Sequence, residues 1–103
     1  MEQRATTTII VNFHAKPERV RDLRALLADA IPRLSELPGC RGGSLHHDVD
    51  EPELFVLIEH WDTADQHRAY LDRIEQDGTM KRLMPLLARP PERRYLSNPV
   101  ATG

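Results

Sequence analysis

Residues 38–71, PGCRGGSLHHDVDEPELFVLIEHWDTADQHRAYL, decide the fold. Pro38-Gly39-Cys40 closes one segment and opens a hairpin-like pair of strand patterns. The first, Gly43–Val49, is weakened by His46, His47 and Asp48; Asp50-Glu51-Pro52 then supplies a turn. The second, Leu54-Phe55-Val56-Leu57-Ile58, is a continuous apolar run, which predicts a strand buried on both faces. Glu59-His60-Trp61-Asp62-Thr63 leads out of it into a helix, because Thr63-Ala64-Asp65-Gln66 matches a capping box in which each end satisfies a free backbone donor. His67, Tyr70, Leu71 and Ile74 then fall at i, i+3, i+4 and i+7, so all four share the inward face. The chain's only tryptophan, Trp61, stands at the junction, where a ring lines a cavity as readily as it fills one.

Working outward, Thr6–His14 is rich in β-branched residues, with Ile9, Val11 and Phe13 alternating against Thr8, Ile10 and Asn12, and predicts a strand. A helix follows, with Pro17 and Glu18 in its first turn and an apolar stripe of Val20, Leu23, Leu27, Ile31 and Leu34. Pro32 removes one helical hydrogen bond, so a kink or a tightened last turn is expected before Leu37-Pro38-Gly39. On the other side, Asp77-Gly78 closes the helix begun at Thr63, and Thr79 is the expected cap of a short helix carrying Met80, Leu83, Met84 and Leu87. Arg93–Leu96 reads as an edge strand and Asn98–Gly103 as a frayed tail.

The order β, α, β, β, α, β, with an extra helix before the last strand, gives an α+β, ferredoxin-like fold: a four-stranded antiparallel sheet with helices on one face. The other face keeps apolar residues from the central run, and hiding them calls for a second copy. A homodimer packed sheet to sheet is therefore expected.

Composition narrows the function classes. A chain of 103 residues has surface for one core, so a single domain spanning 1–103 is expected, ordered over about residues 6–97. With 14 Lys+Arg against 16 Asp+Glu the net charge is -2, and the basic residues form no stripe, which argues against a nucleic-acid partner. No apolar run nears the roughly 18 residues of a membrane span, and Met1-Glu2-Gln3-Arg4 leads into no signal-peptide segment. A soluble cytoplasmic protein is the expectation. Cys40 is alone, which excludes an intramolecular disulfide and gives it the part of a small buried hydrophobe.

Lys16-Pro17 after a first strand, Pro38-Gly39-Cys40 after a helix, and the run Phe55 to Glu59-His60-Trp61 before a Thr-capped helix resemble the antibiotic biosynthesis monooxygenase domain, a branch of the dimeric α+β barrel superfamily. The resemblance covers roughly Thr8 to Tyr95. It implies a ferredoxin-like dimer, often a monooxygenase acting on quinols or aromatic polyketides without metal or flavin; relatives of the same fold degrade haem, and others have no known activity. Many members carry a histidine nine residues after the tryptophan, where this chain has Tyr70. His67, six residues after Trp61, faces the same way one turn earlier and is the candidate replacement.

Cofactor-free oxygenation needs an electron-rich phenol or hydroquinone, a base and a dry pocket. His67 is the candidate base, since an unperturbed imidazole titrates at about 6.5, near operating pH. Tyr70 and Asn12 are candidates to hold a substrate oxygen, Asn12 on condition that it faces the helices, and Trp61 to wall an aromatic ring. Each has a structural alternative: core packing for Trp61 and Tyr70, a bonded half-buried histidine for His67. His46 and His47 point to opposite faces of one strand and no His-x-x-x-His pair exists, so no metal site is expected. Glu59 is expected in a structural hydrogen bond or an ion pair at the dimer interface. The leading expectation is a small oxygenase for a phenolic, quinol or polyketide-like aromatic. A non-catalytic dimeric binding or stress-associated protein of the same fold and an aromatic polyketide cyclase are the alternatives.

Overall fold

Alternation in Thr7–His14 makes strand β1, which buries Ile9, Val11 and Phe13 and leaves the residues between them half-buried. The structure is a computed structural model that describes residues 6–103; Met1–Arg4, read above for a signal segment, lies outside the described residues. Helix α1 (Val20–Ala30), strands β2 (Cys40–His47) and β3 (Leu54–Trp61), helices α2 (Ala64–Gln76) and α3 (Thr79–Leu83), and strand β4 (Glu92–Leu96) follow in order. The sheet runs β2-β3-β1-β4 with every pair antiparallel, which is the ferredoxin-like α+β arrangement. Leu23 and Leu27 of α1 and His67 of α2 are buried together with Ile9, Phe55 and Trp61, so the core lies between one sheet face and the helices.

Local chemistry explains where the elements depart from the sequence reading. α1 passes into a 3-10 segment, Ile31–Glu36, at Pro32, the tightening expected where a backbone donor is lost. β2 begins at Cys40, three residues before the expected Gly43, because a bulge between Cys40 and Gly43, with Gly42 at φ 101°, lets the strand reach back to pair with Trp61. It stops at His47 because the Asp48 carboxylate accepts from the N–H groups of Asp50 and Glu51, both at 2.9 Å, and turns the chain. β3 outruns its apolar segment to include Glu59, His60 and Trp61; Val56 and Ile58 are half-buried, so within this chain the strand is covered on one face only.

Thr63 caps α2 by accepting from the Gln66 N–H at 3.1 Å. The Gln66 side chain bonds the Thr63 hydroxyl and fills the space a Cβ on Gly39 would need, 2.3 Å from its amide oxygen. Gly39 also has φ +82°, so it is the backbone that calls for glycine here, the Gln66 side chain being able to move. At α3 the N-cap position is Gly78, and Asp77 just before it accepts from the Thr79 N–H through Oδ1 at 2.9 Å; Thr79 is the donor rather than the expected cap. Asn98 is not frayed: its Oδ1 accepts from the Thr6 N–H and hydroxyl at 2.9 and 2.8 Å.

Candidate active site

Strand parity builds the site. Trp61 and Glu59 are two residues apart on β3, so both project toward the helices, as do Leu57 and Phe55. Ile9 pairs with Glu59 on one side and with Tyr95 of β4 on the other, which aligns Tyr95 on the same face. From above, the first and second turns of α2 lower His67 and Tyr70 onto this row. His67 Nδ1 lies 2.9 Å from the Tyr95 hydroxyl, and its Nε2 lies 3.8 Å from Glu59 Oε1. Trp61 Nε1–H donates to the same Oε1 at 2.7 Å. The Trp61 ring meets His67 edge-on at 5.3 Å and Tyr70 tilted at 5.6 Å.

The cluster is almost dry: Trp61 is 1% exposed, His67 2% and Glu59 3%. Burial pushes the Glu59 carboxyl up, opposed by the Trp61 N–H, which stabilises its charged form. His67 is pushed down to about 4, first by burial and then by the guanidinium charges of Arg93 and Arg68. Burial, followed by the charge of Glu59, raises the Tyr70 phenol.

These groups close one end of a cavity of about 450 Å³ between the sheet and the helices. Apolar side chains of Val11, Phe13, Leu57, Leu71, Ile74 and Leu83 line it together with the polar Glu59, His67 and Tyr70, and charged groups such as Arg33, Arg73, Asp77 and Arg93 share the lining. Trp61 does not line it; the ring stands behind Glu59 and His67 and fixes them, which is the packing alternative named for it. Asn12 is on the wrong face. It alternates with the buried Val11 and Phe13, pairs with Val56 and Glu92, and so lies on the sheet surface away from the cavity. The condition attached to its role as a substrate contact is not met.

Glu59 makes the structural hydrogen bond expected of it and faces the helices, not the open sheet face where an interface ion pair would form. Its place beside the cavity was available from parity with Leu57 and Trp61. Tyr95 had no such signal, because its meeting with His67 depends on the register of β4 against β1. The remaining histidines are dispersed: His14 lies near Glu92, His46 near Ser44, His60 near Thr8, and His47 stacks on Phe55. Among the described residues no group of three His, Cys, Asp or Glu side chains converges as a metal site requires. Nor, among them, is any helix long and apolar enough to cross a membrane.

Fold and site together define a ferredoxin-like α+β domain with a buried Glu-His-Tyr-Trp cluster beside a cavity between sheet and helices. The chain belongs to the antibiotic biosynthesis monooxygenase family, whose profile matches residues 6–82. Among solved structures it is similar to a candidate antibiotic biosynthesis monooxygenase from Bordetella bronchiseptica, with 25% identity, 89% of this chain and 95% of that one covered, and a TM-score of 0.77. A candidate monooxygenase from Nitrosomonas europaea shares the fold at 17% identity, with 100% and 99% covered and a TM-score of 0.83. So does a variant of SnoaB, a cofactor-independent oxygenase from Streptomyces nogalater, at 18% identity, 94% and 95% coverage and a TM-score of 0.76. Comparison of the sequence with curated proteins gave no match.

Proposed function

We propose that this protein is a cofactor-independent monooxygenase for a phenolic, quinol-like or aromatic polyketide-like substrate bound in the cavity between sheet and helices. One observation carries the reading: Glu59 Oε1 and His67 Nε2 stand 3.8 Å apart in the lining of a cavity of about 450 Å³. That gap is too long for a direct hydrogen bond, yet one hydroxyl oxygen can sit about 2.8 Å from both atoms. A phenol whose ring lies along the apolar walls presents its hydroxyl there, and the pair receives its proton. Tyr70, on the same wall, is the further contact for a substrate oxygen, and Trp61 acts by holding Glu59 and His67 in place.

Ionising a phenol makes it a better electron donor to dioxygen, and the substrate itself supplies all the electrons needed. A ring CH₂ and O₂ become C=O and H₂O: a carbon–oxygen bond forms to give a hydroperoxide, whose O–O bond breaks as water leaves. Both oxygen atoms are reduced at the expense of the substrate carbon. The oxygenase activity named for SnoaB, on the same fold, supports this chemistry.

The working unit in this proposal is a homodimer. Ile10, Val56 and Ile58 lie on the sheet face away from the helices and are only half-buried in one chain, and a second copy packed against that face covers them. Light scattering should give twice the chain mass, reverting to one chain mass in Ile58→Glu.

An oxygen electrode with a panel of quinols and anthrones tests the activity. Uptake with wild type that is lost in His67→Ala supports the oxygenase. Cyclised product without uptake replaces it with a polyketide cyclase. Tight binding with neither supports a non-catalytic binding protein, the reading favoured by how completely His67 is buried.

A further inference from the structure

We propose that Glu59 is the base that takes the substrate proton, and that His67 is held by Tyr95 as an uncharged Nε2–H donor to the same substrate oxygen. This rests on the reading of the site as a phenol oxygenase and assigns the roles within it. Tyr95 lies beyond residues 6–82, the stretch matched by the family profile, so its role comes from the geometry of this chain.

The argument starts from which atoms can donate. An ionised carboxylate only accepts, and Oε1 is already oriented by the Trp61 N–H at 2.7 Å. The imidazole nitrogen turned toward it, Nε2 at 3.8 Å, is therefore the one that carries the proton of neutral His67. Nδ1 then presents a lone pair, and in a side chain 2% exposed that acceptor needs a donor. The Tyr95 hydroxyl at 2.9 Å is that donor, and its ring is fixed by an edge contact to His67 and by the Arg68 guanidinium 4.8 Å from its centroid. Tyr95 thus acts as a positioning residue: its hydroxyl fixes the ring and satisfies Nδ1, while the acceptor-only Glu59 carboxylate sets the tautomer.

With Nδ1 occupied and Nε2 protonated, His67 has no lone pair to offer the cavity. A hydroxyl placed in the 3.8 Å gap donates to Glu59 Oε1 and accepts from Nε2–H. Its O–H bond breaks, the proton goes to the carboxylate, and the electron pair stays on the substrate oxygen as a phenolate held by Nε2–H. No electron changes hands until dioxygen enters. The charges around the pair agree: Arg93 on β4 and Arg68 on α2 oppose an imidazolium, while burial lifts the Glu59 carboxyl toward operating pH. Tyr70 from α2, Cys40 from β2 and Trp61 from β3 also face Glu59, and Arg73 of α2 and Arg93 of β4 share the cavity lining with it.

Two measurements decide the matter. Ring-nitrogen NMR on the ¹⁵N-histidine protein, without substrate, should show neutral His67 with its proton on Nε2. Tyr95→Phe, which keeps the ring and loses the hydroxyl, and Glu59→Gln, which replaces an acceptor-only group by an amide, should each give a tautomer mixture. A proton on Nδ1 in wild type, or unchanged signals in Tyr95→Phe, overturns the assignment. In oxygen uptake, Glu59→Gln should lower kcat by roughly 100-fold or more at nearly constant KM. His67→Gln, which restores an N–H donor, should recover most of the rate lost in His67→Ala. If His67→Gln is as inactive as His67→Ala while Glu59→Gln stays active, His67 is the base and the proposal falls. Absence of uptake by wild type on every phenol sinks the oxygenase reading, and the NMR arm still decides the tautomer; thermal melts identify any variant that fails to fold.

Discussion

β1 and β3 carry two unlike surfaces on the same backbone. Toward the helices, Ile9, Val11, Phe13, Phe55, Glu59 and Trp61 are buried, and the polar groups among them are tied to named partners. One residue away, Thr8, Ile10, Asn12, Val56, Ile58 and His60 form a half-buried to exposed face with scattered polar groups, such as the 3.3 Å contact of Thr8 with His60. The open face carries Thr8, Asn12 and His60 in contact with water, whereas the covered face carries the single carboxyl of Glu59, and that one is dehydrated. Taking Glu59 and His67 out of water shifts the two in opposite senses, the carboxyl up and the imidazole down.

The largest effect expected from this contrast is at Trp61. Trp61→Ala removes the biggest fully buried side chain and leaves Glu59 without its donor, so denaturant unfolding should show a loss of about 3–5 kcal/mol. A loss below about 1 kcal/mol would mean that the covered face is as tolerant as the open one. Next is the pH dependence of the buried pair. His67 titrates in the folded state at about 4, below its ordinary 6.5, so the stability it contributes is complete above pH 6.5 and drains as the pH falls toward 4. That is worth roughly 2–3 kcal/mol. Glu59 runs the other way: its raised value contributes stability that is present below its ordinary 4.5 and is lost as the pH rises through the folded value. Unfolding of His67→Gln should therefore lose the acid decline between pH 6.5 and 4, and Glu59→Gln should steepen it. Identical profiles in all three proteins would remove the coupling of burial to charge.

A smaller effect belongs to the turn that seats α2 over the buried face. Gly39→Ala puts a Cβ into left-handed backbone and against the Gln66 side chain, which is flexible enough to move. Backbone strain then dominates, and unfolding should register a loss of about 1–2 kcal/mol.

Much of this was legible in the chain, and the exceptions share a cause. Local signals placed Thr63 as a cap, Pro32 as a tightened turn and His67, Tyr70, Leu71 and Ile74 on one helix face, because each depends only on neighbours three or four residues away. The ferredoxin-like topology followed from their order. Alternation alone does not say which face of β1 the helices cover, and Asn12 lies away from them because Val11 and Phe13 are the covered pair. Tyr95 was invisible because two registers, β4 on β1 and β1 on β3, are needed to bring it beneath His67. Side-chain exclusion of Trp61 from the cavity wall is a packing fact with no sequence signature at all.

The smallest expected effect is also the sharpest check on the two-face contrast. Asn12 is one residue from Val11, a cavity wall, yet its side chain lies across the sheet beside Val56 and Glu92. Asn12→Ala should leave phenol affinity and oxygen uptake within about twofold and unfolding of the isolated chain within about 0.5 kcal/mol. Association is a separate quantity. If a second copy packs on that face, the same substitution shifts the dimer dissociation constant while the cavity behaves as before. A large loss of phenol binding at unchanged association would place Asn12 functionally with Glu59 and His67, and the partition of the sheet into a chemical face and an assembly face would fail.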